Sequence, residues 1–426
     1  MLKNHPKALW VVFLTEIWER VGFYTLMAVL VLYMDKTLLW NDSRKGTFYG
    51  LFLALCYFVP LLGGWLGDRV FGRRSTVQVG AFLMALGYVG LAVSSASNLV
   101  PFYLGLFLIG FGTGIFKVNM SVMVGNLYSG KPELKDAGFN IFYMAVNIGA
   151  AVAPLIATFV GVTWNNYNIN FWICAAGLLI ASATFAFGRK KLAIADLRSG
   201  AAAAASAGPV LEISPAENRQ RITTLISLFI IVILFWVAFY QDFFALTLFA
   251  ERSTKIFKFL RPETYQFFEP MYIVVLTPVL LALFAWMRAR RKEPSTPVKI
   301  FLGMLIMGLA MLIMVFASLA GGDKDANSMS PAWLIGTYFI VTIAEILISP
   351  MGQSYVSKVA PPKIAGLMMG GWMAAIAVGS YGAGWLGKRY SDFAHHSFYL
   401  LLTGLLAVSA ILVLIFLKRL KWFGSS

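Results

Sequence analysis

The sequence predicts an all-α membrane protein with 12 transmembrane helices in two six-helix halves. Three observations carry that reading: bulk composition, the length of the apolar runs, and their lack of alternation. Of 426 residues, 59% are hydrophobic and 13% charged, and mean hydropathy is +0.75. A soluble domain of that composition would lack a polar exterior. Apolar runs of about 20 residues each suffice to cross a hydrocarbon core as a helix. Without period-2 alternation they read as helices and not as barrel strands, since each must satisfy its own backbone hydrogen bonds.

Taken in order, the runs place spans near 8–34, 46–67, 76–94, 99–126, 139–162 and 170–188. Six more fall near 222–250, 266–287, 298–320, 331–357, 364–386 and 397–418. The first run is too long for a signal peptide and carries Glu16, Glu19 and Arg20, so none is expected. Residues 189–221 interrupt the pattern with Arg189-Lys190-Lys191, an alanine tract and Pro209. They read as a cytoplasmic linker, partly helical, between an N-terminal bundle (1–188) and a C-terminal one (222–426). A 6+6 arrangement suits a carrier with a central site between its halves. Gly64-Trp65-Leu66-Gly67-Asp68-Arg69 is echoed by Gly384-Trp385-Leu386-Gly387-Lys388-Arg389.

The net charge of +16 would suggest nucleic acid in a soluble protein. Here it reads as topology, and no nucleic-acid partner is expected. With a cytoplasmic N-terminus, 23 Lys/Arg lie on that side and 10 on the other, with Arg20 and Lys117 inside spans. That bias predicts both termini inside. Cys56 and Cys174 fall within spans and offer neither a disulfide framework nor a metal cluster.

Charges inside apolar runs are the functional signal, because a buried ion needs a partner or a cavity. Glu16, Glu19 and Arg20 share one helix flank, with Tyr24 one turn beyond Arg20. Two acids beside one base can hold a proton on either carboxylate and release or grip the base accordingly. The competing reading is a static salt bridge. Lys117 follows Gly110, Gly112 and Gly114, whose ordinary role is close helix packing. Its depth favours a cavity-facing charge over snorkelling. Glu345 precedes Pro350, which frees a backbone carbonyl near the acid. Glu345 and Lys117 are candidates to pair until a proton or a substrate carboxylate separates them. All three histidines, His5, His395 and His396, lie near span ends or in loops, so proton handling falls to carboxylates.

Glu16-Ile17-Trp18-Glu19-Arg20 through Tyr24 resembles the ExxER signature of the proton-dependent oligopeptide transporter family. Gly63 to Arg69 with Gly72-Arg73-Arg74 resembles the 2–3 loop motif of the wider major facilitator superfamily. Phe139–Ala150, Phe235-Trp236 through Gln241, Pro270, Ala344-Glu345 through Gly352, and Met369 to Trp372 are similar to further family landmarks, in order, through both halves.

The resemblance implies the major facilitator fold and proton-coupled symport of small peptides, with no cofactor beyond the proton gradient. It implies that Arg20 and Lys117 hold a substrate carboxylate while Glu345 and Asn147 meet its amine. Tyr24, Tyr57 and Trp372 would line the pocket. Glu16, Glu19, Arg20 and Glu345 would couple protons, and Asp68 with Arg69 would gate. Independently of the resemblance, short loops and a compact linker suggest a bacterium, which places the chain in its inner membrane.

Three departures stand out. Met27 occupies the site of a family arginine, Tyr240 lies where its acidic partner is expected, and Asp242 is nearby. The expected Asn-Pro is Glu269-Pro270, which adds Glu269 to the substrate-facing candidates. The 189–221 linker is too short for the extra helix pair of many bacterial members. Loss of a positive charge and gain of a negative one favour a solute more cationic than a plain dipeptide; the competing reading keeps Glu269 in the external vestibule. A non-peptide carrier or exporter is the alternative within transport, and a sensor or scaffold the alternative outside it. An enzyme is not expected, since no metal spacing or nucleotide loop is present.

Overall fold

The structure is a computed structural model, which describes residues 5–131, 134–196, 214–361 and 364–424. The middle of the expected linker, 197–213, lies outside the described residues. Among the described residues the fold is helical, with only isolated β-bridges.

Six helices make the first series: α1 (Lys7–Lys36), α2 (Asp42–Trp65), α3 (Arg73–Val93), α4 (Val100–Asn126), α5 (Lys135–Thr163) and α6 (Tyr167–Phe187). A second series follows: α7 (Pro215–Phe239), α8 (Thr247–Arg252), α9 (Phe268–Ala289), α10 (Thr296–Ala320), α11 (Pro331–Val359), α12 (Ala365–Gly387) and α13 (His395–Gly424). A π-helical turn, Leu66–Val70, prolongs α2, and another, Asp242–Leu246, joins α7 to α8. Eleven of the 12 expected spans are helices long and apolar enough to cross a membrane. The remaining span is α12, also helical, whose hydropathy is lowered by Gly366, Gly370, Gly371, Gly379, Gly382, Gly384 and Gly387.

Helix starts follow local chemistry. Ser214 accepts a hydrogen bond from Glu217 N at 3.2 Å, and Pro215 sits where its missing N–H costs nothing. With Arg221 reaching back to Glu217 at 2.8 Å, α7 therefore begins inside the expected linker. Ser330 with Pro331 opens α11 the same way, and Asn166 caps α6.

The chain divides into two compact units. The first is Met1–Trp40 with Phe52–Pro209, and the second is Asn41–Leu51 with Val210–Ser426. The start of α2 thus groups with the second series. In the first unit α1 packs on α5 and α6, and α3 on α4 and α6. Glycines set the spacing, as expected for α4: a Cβ at Gly114 would come 2.5 Å from Val59 and one at Gly112 2.8 Å from the Gly80 carbonyl. In the second unit α10 packs on α11 and α13, and α7 on α12 and α13. There the start of α2 meets α12 closely, with a Cβ at Gly50 2.9 Å from the Tyr381 carbonyl oxygen. Cys56 and Cys174 are buried free thiols.

Candidate substrate and proton site

Each unit holds a candidate cluster of ionisable groups, one with acids and bases together and the other with carboxyls alone. In the first unit, α1 supplies Glu16, Glu19 and Arg20, all within 2% of full burial. Arg20 Nε lies 3.1 Å from Glu16 and pairs with Glu19 as well. Gly149 of α5 allows this, since a Cβ there would come 2.5 Å from Arg20 Cβ. Lys117 on α4 is exposed within its unit, and its ammonium stands 5.6 Å from the centre of the Tyr57 ring. It is close enough to interact electrostatically with Glu16, Glu19 and Arg20. Two acids and two bases therefore share one field. Protonating an acid weakens its hold on Arg20 and leaves net positive charge for an incoming carboxylate. Tyr24 is partly buried and interacts with Arg20. Asn147 is 7% exposed and donates to the Tyr143 carbonyl at 2.8 Å.

The second unit contributes carboxyls without a base. Glu269 at the start of α9 is close enough to Glu345 of α11 and to Asp242 of the π-helical turn to interact electrostatically with both. Asp242 is 1% exposed and Glu269 8%. Among the described residues no lysine or arginine forms an ion pair with any of the three. Gln266 Nε2 lies 3.3 Å from Asp242 Oδ1 and donates to Tyr338 Oη at 3.0 Å. Asp242, Gln266 and Tyr338 were not among the expected site residues. Asp242 was detectable by the criterion that picked Glu345, an acid within an apolar run. Gln266 and Tyr338 give no such signal, because polar uncharged groups are common near span ends.

Trp372 is fully buried against Phe229 and Trp236, over Gly352, where any Cβ would run into its indole. Met27 is 1% exposed, and the Tyr240 carbonyl accepts a 2.6 Å hydrogen bond from Tyr49.

The 2–3 loop forms a separate polar knot. Asp68 sits in the π-helical turn and pairs with Arg73, while Arg69 is exposed. Asn119 of α4 donates to the Gly63 carbonyl at 2.7 Å, and Gly67 leaves room for its amide. Gly72, at φ 78°, turns the chain into α3. Arg74 then reaches Asp196 at 2.7 Å, and that guanidinium holds the Asp196 carboxyl below its usual range.

An integral membrane protein of long apolar helices, with acids and bases together inside one unit and carboxyls alone inside the other, has the make-up of a secondary carrier. The chain belongs to the major facilitator superfamily: the family model described as Major Facilitator Superfamily matches residues 12–380. Its relatives and structural neighbours are of the peptide-transporter branch. It is 29% identical to a di-/tripeptide transporter of Lactococcus lactis, over 87% of each chain. It is also 29% identical to an uncharacterized transporter of Bacillus subtilis, over 90% of this chain and 89% of that one. A crystal structure of a POT peptide transporter in complex with sulfate superposes with a TM-score of 0.89 at 27% identity, covering 99% of this chain and 96% of that one.

Proposed function

We propose that this chain is a proton-coupled symporter of di- and tripeptides or related small amine-bearing solutes, working by alternating access. The observation that carries the reading is the different make-up of the two clusters: bases stand among the acids of the first, and the second is carboxyls alone. Arg20 and Lys117 suit a substrate carboxylate, while Glu345 with its neighbours suits an amine. Glu16, Glu19 and Glu345 are the proton carriers, because the first two are buried and Glu345 is half-buried within a span, where ionisation without a partner is costly. Asp68 and Arg69 belong to a gating loop. No chemical step, and hence no cofactor, is needed: the protein moves solute and is not an enzyme. The lysine and arginine bias supports cytoplasmic termini, and the short loops support a bacterial inner membrane. A divergent solute, non-peptide or more cationic, is the second reading, and the added carboxyl of Glu269 within electrostatic reach of Glu345 favours it.

The test is uptake of a labelled dipeptide into proteoliposomes under an inward proton gradient. Uptake that collapses with the gradient and in Glu345→Gln supports proton-coupled symport. Absence of uptake by well-folded protein rejects it and directs the search to cationic and non-peptide solutes.

A further inference from the structure

In the second unit, away from its carboxyls, the loop after α9 and the first turn of α10 meet the end of α13 around a cavity. It measures about 660 Å³, and Glu293, Pro297, Val298, Lys418, Lys421 and Trp422 are among its lining residues. Its surroundings are strongly basic. Residues 288–299 set Arg288, Arg290, Arg291, Lys292 and Lys299 against Glu293 alone, and residues 418–422 add Lys418, Arg419 and Lys421 with no acid. Eight cations and one acid leave a net charge of +7. The acid is already occupied, by Arg288 at 2.5 Å and Lys299 at 2.6 Å. The dipole of α10 adds positive potential at its first turn, where the Ser295 side chain makes no capping hydrogen bond.

The helix faces that line the cavity continue into the spans as apolar tracks. On α10, Val298 is followed by Leu302, Leu305 and Leu309, whose spacing keeps them on one face, and all three leucines are exposed. On α13, Trp422 and Lys418 share a face with Ile415 and Ile411, both exposed. Each track reaches about 16 Å from the cavity, at about 1.5 Å per residue. The two helices pack on one another, so one basic end stands beside two apolar tracks. Trp286 and Trp422 are exposed, and Arg290 stacks over Trp286 at 3.7 Å. Tryptophan beside lysine and arginine is the chemistry of a membrane interface. A free anion would use the basic end alone, whereas an anionic lipid uses the basic end and the tracks together.

We propose that this cavity binds the phosphate headgroup of one anionic phospholipid, whose acyl chains lie along the exposed leucines of α10 and isoleucines of α13. The site is independent of the transported solute. With the C-terminus cytoplasmic, as proposed above, it faces the leaflet whose anionic lipids draw basic segments of membrane proteins.

The test is native mass spectrometry of the purified full chain in neutral detergent, with equimolar dioleoyl phosphatidylglycerol and phosphatidylcholine. The expected result is one bound phosphatidylglycerol, preferred over phosphatidylcholine by at least about tenfold. Replacing both cavity lysines (Lys418→Ala with Lys421→Ala) should bring that ratio towards one. Replacing the exposed pair Lys190 and Lys191 by alanine should leave it unchanged. Equal binding of the two lipids by the wild type overturns the proposal, and that comparison needs no variant. An equal loss in both lysine pairs also overturns it, because diffuse charge would then be the cause. Thermal melting separates the lipid from a free phosphate. Phosphatidylglycerol should raise the melting temperature, and glycerol phosphate at the same concentration should not. Equal protection by glycerol phosphate would make the cavity a site for a soluble anion and overturn the lipid assignment.

Discussion

Arg252 grips Asp42 with both guanidinium ends, at 2.9 and 3.2 Å, while Lys45 holds the same carboxylate at 2.6 Å. Asp42 is 6% exposed and Lys45 fully buried, so this triad sits at low dielectric. Removing one partner of a buried pair costs about 3–5 kcal/mol, because the other charge stays buried. The two sides are unequal here. Arg252→Met leaves Asp42 paired with Lys45, whereas Asp42→Leu takes the acid from two cations together. Thermal melting in detergent should rank Asp42→Leu well below Arg252→Met, and equal losses would contradict the shared-carboxylate arrangement.

Gly67→Ala places a methyl group against the Asn119 amide, whose nitrogen already donates to Gly63 and Ile115. Overpacking costs about 1–3 kcal/mol, with loss of those hydrogen bonds on top. Asn119→Ala frees the space and should recover part of the loss in the double variant. A strictly additive double variant would show that the two positions are not coupled.

Trp372 fills the space that Gly352 leaves open. Trp372→Ala removes a fully buried indole and should cost about 3–5 kcal/mol, with Trp372→Phe retaining most of the packing. Gly352→Ala, acting from the opposite side, should lower the melting temperature too. A neutral Gly352→Ala would mean that the ring shifts freely.

Acid sensitivity is expected at the loop joining α9 to α10. Arg288 at 2.5 Å and Lys299 at 2.6 Å lower the Glu293 carboxyl to about 2 from its usual 4.5. A depressed folded value gives stabilisation that is complete above the unfolded value and lost as pH falls from about 4.5 towards 2. Arg288 is 73% exposed, so solvent screening keeps the effect small. The melting gap between wild type and Glu293→Gln should be largest near neutrality and shrink below pH about 4.5. A gap that persists unchanged to pH about 3 would assign Glu293 a role other than charge pairing.

Much of the helical plan was legible because a bilayer demands long apolar runs, and that demand is written continuously along the chain. The boundaries were less so: α7 begins at Pro215 through a Ser-Pro cap inside a stretch whose charges read as linker. Among the candidate site residues, Glu16, Glu19, Arg20, Lys117 and Glu345 were visible as charges out of place. What the sequence hid was partnership. Spacing along α1 brings Glu16 and Arg20 together, but nothing in it brings Asp242, Glu269 and Glu345 within electrostatic reach of one another, which depends on a π-helical turn and two helices far apart in the chain. Asn119 was missed because an asparagine in an apolar helix reads as one polar side chain until Gly67 is placed beneath it.

The glycines of α12 bear on how the molecule is made. Those that let α12 approach its neighbours also strip it of the side chains by which a nascent segment partitions from the translocon into lipid. By composition α12 therefore offers insertion less driving force than α13, which emerges directly after it and is strongly apolar, so the two helices differ in what each contributes to seating the C-terminal end in lipid.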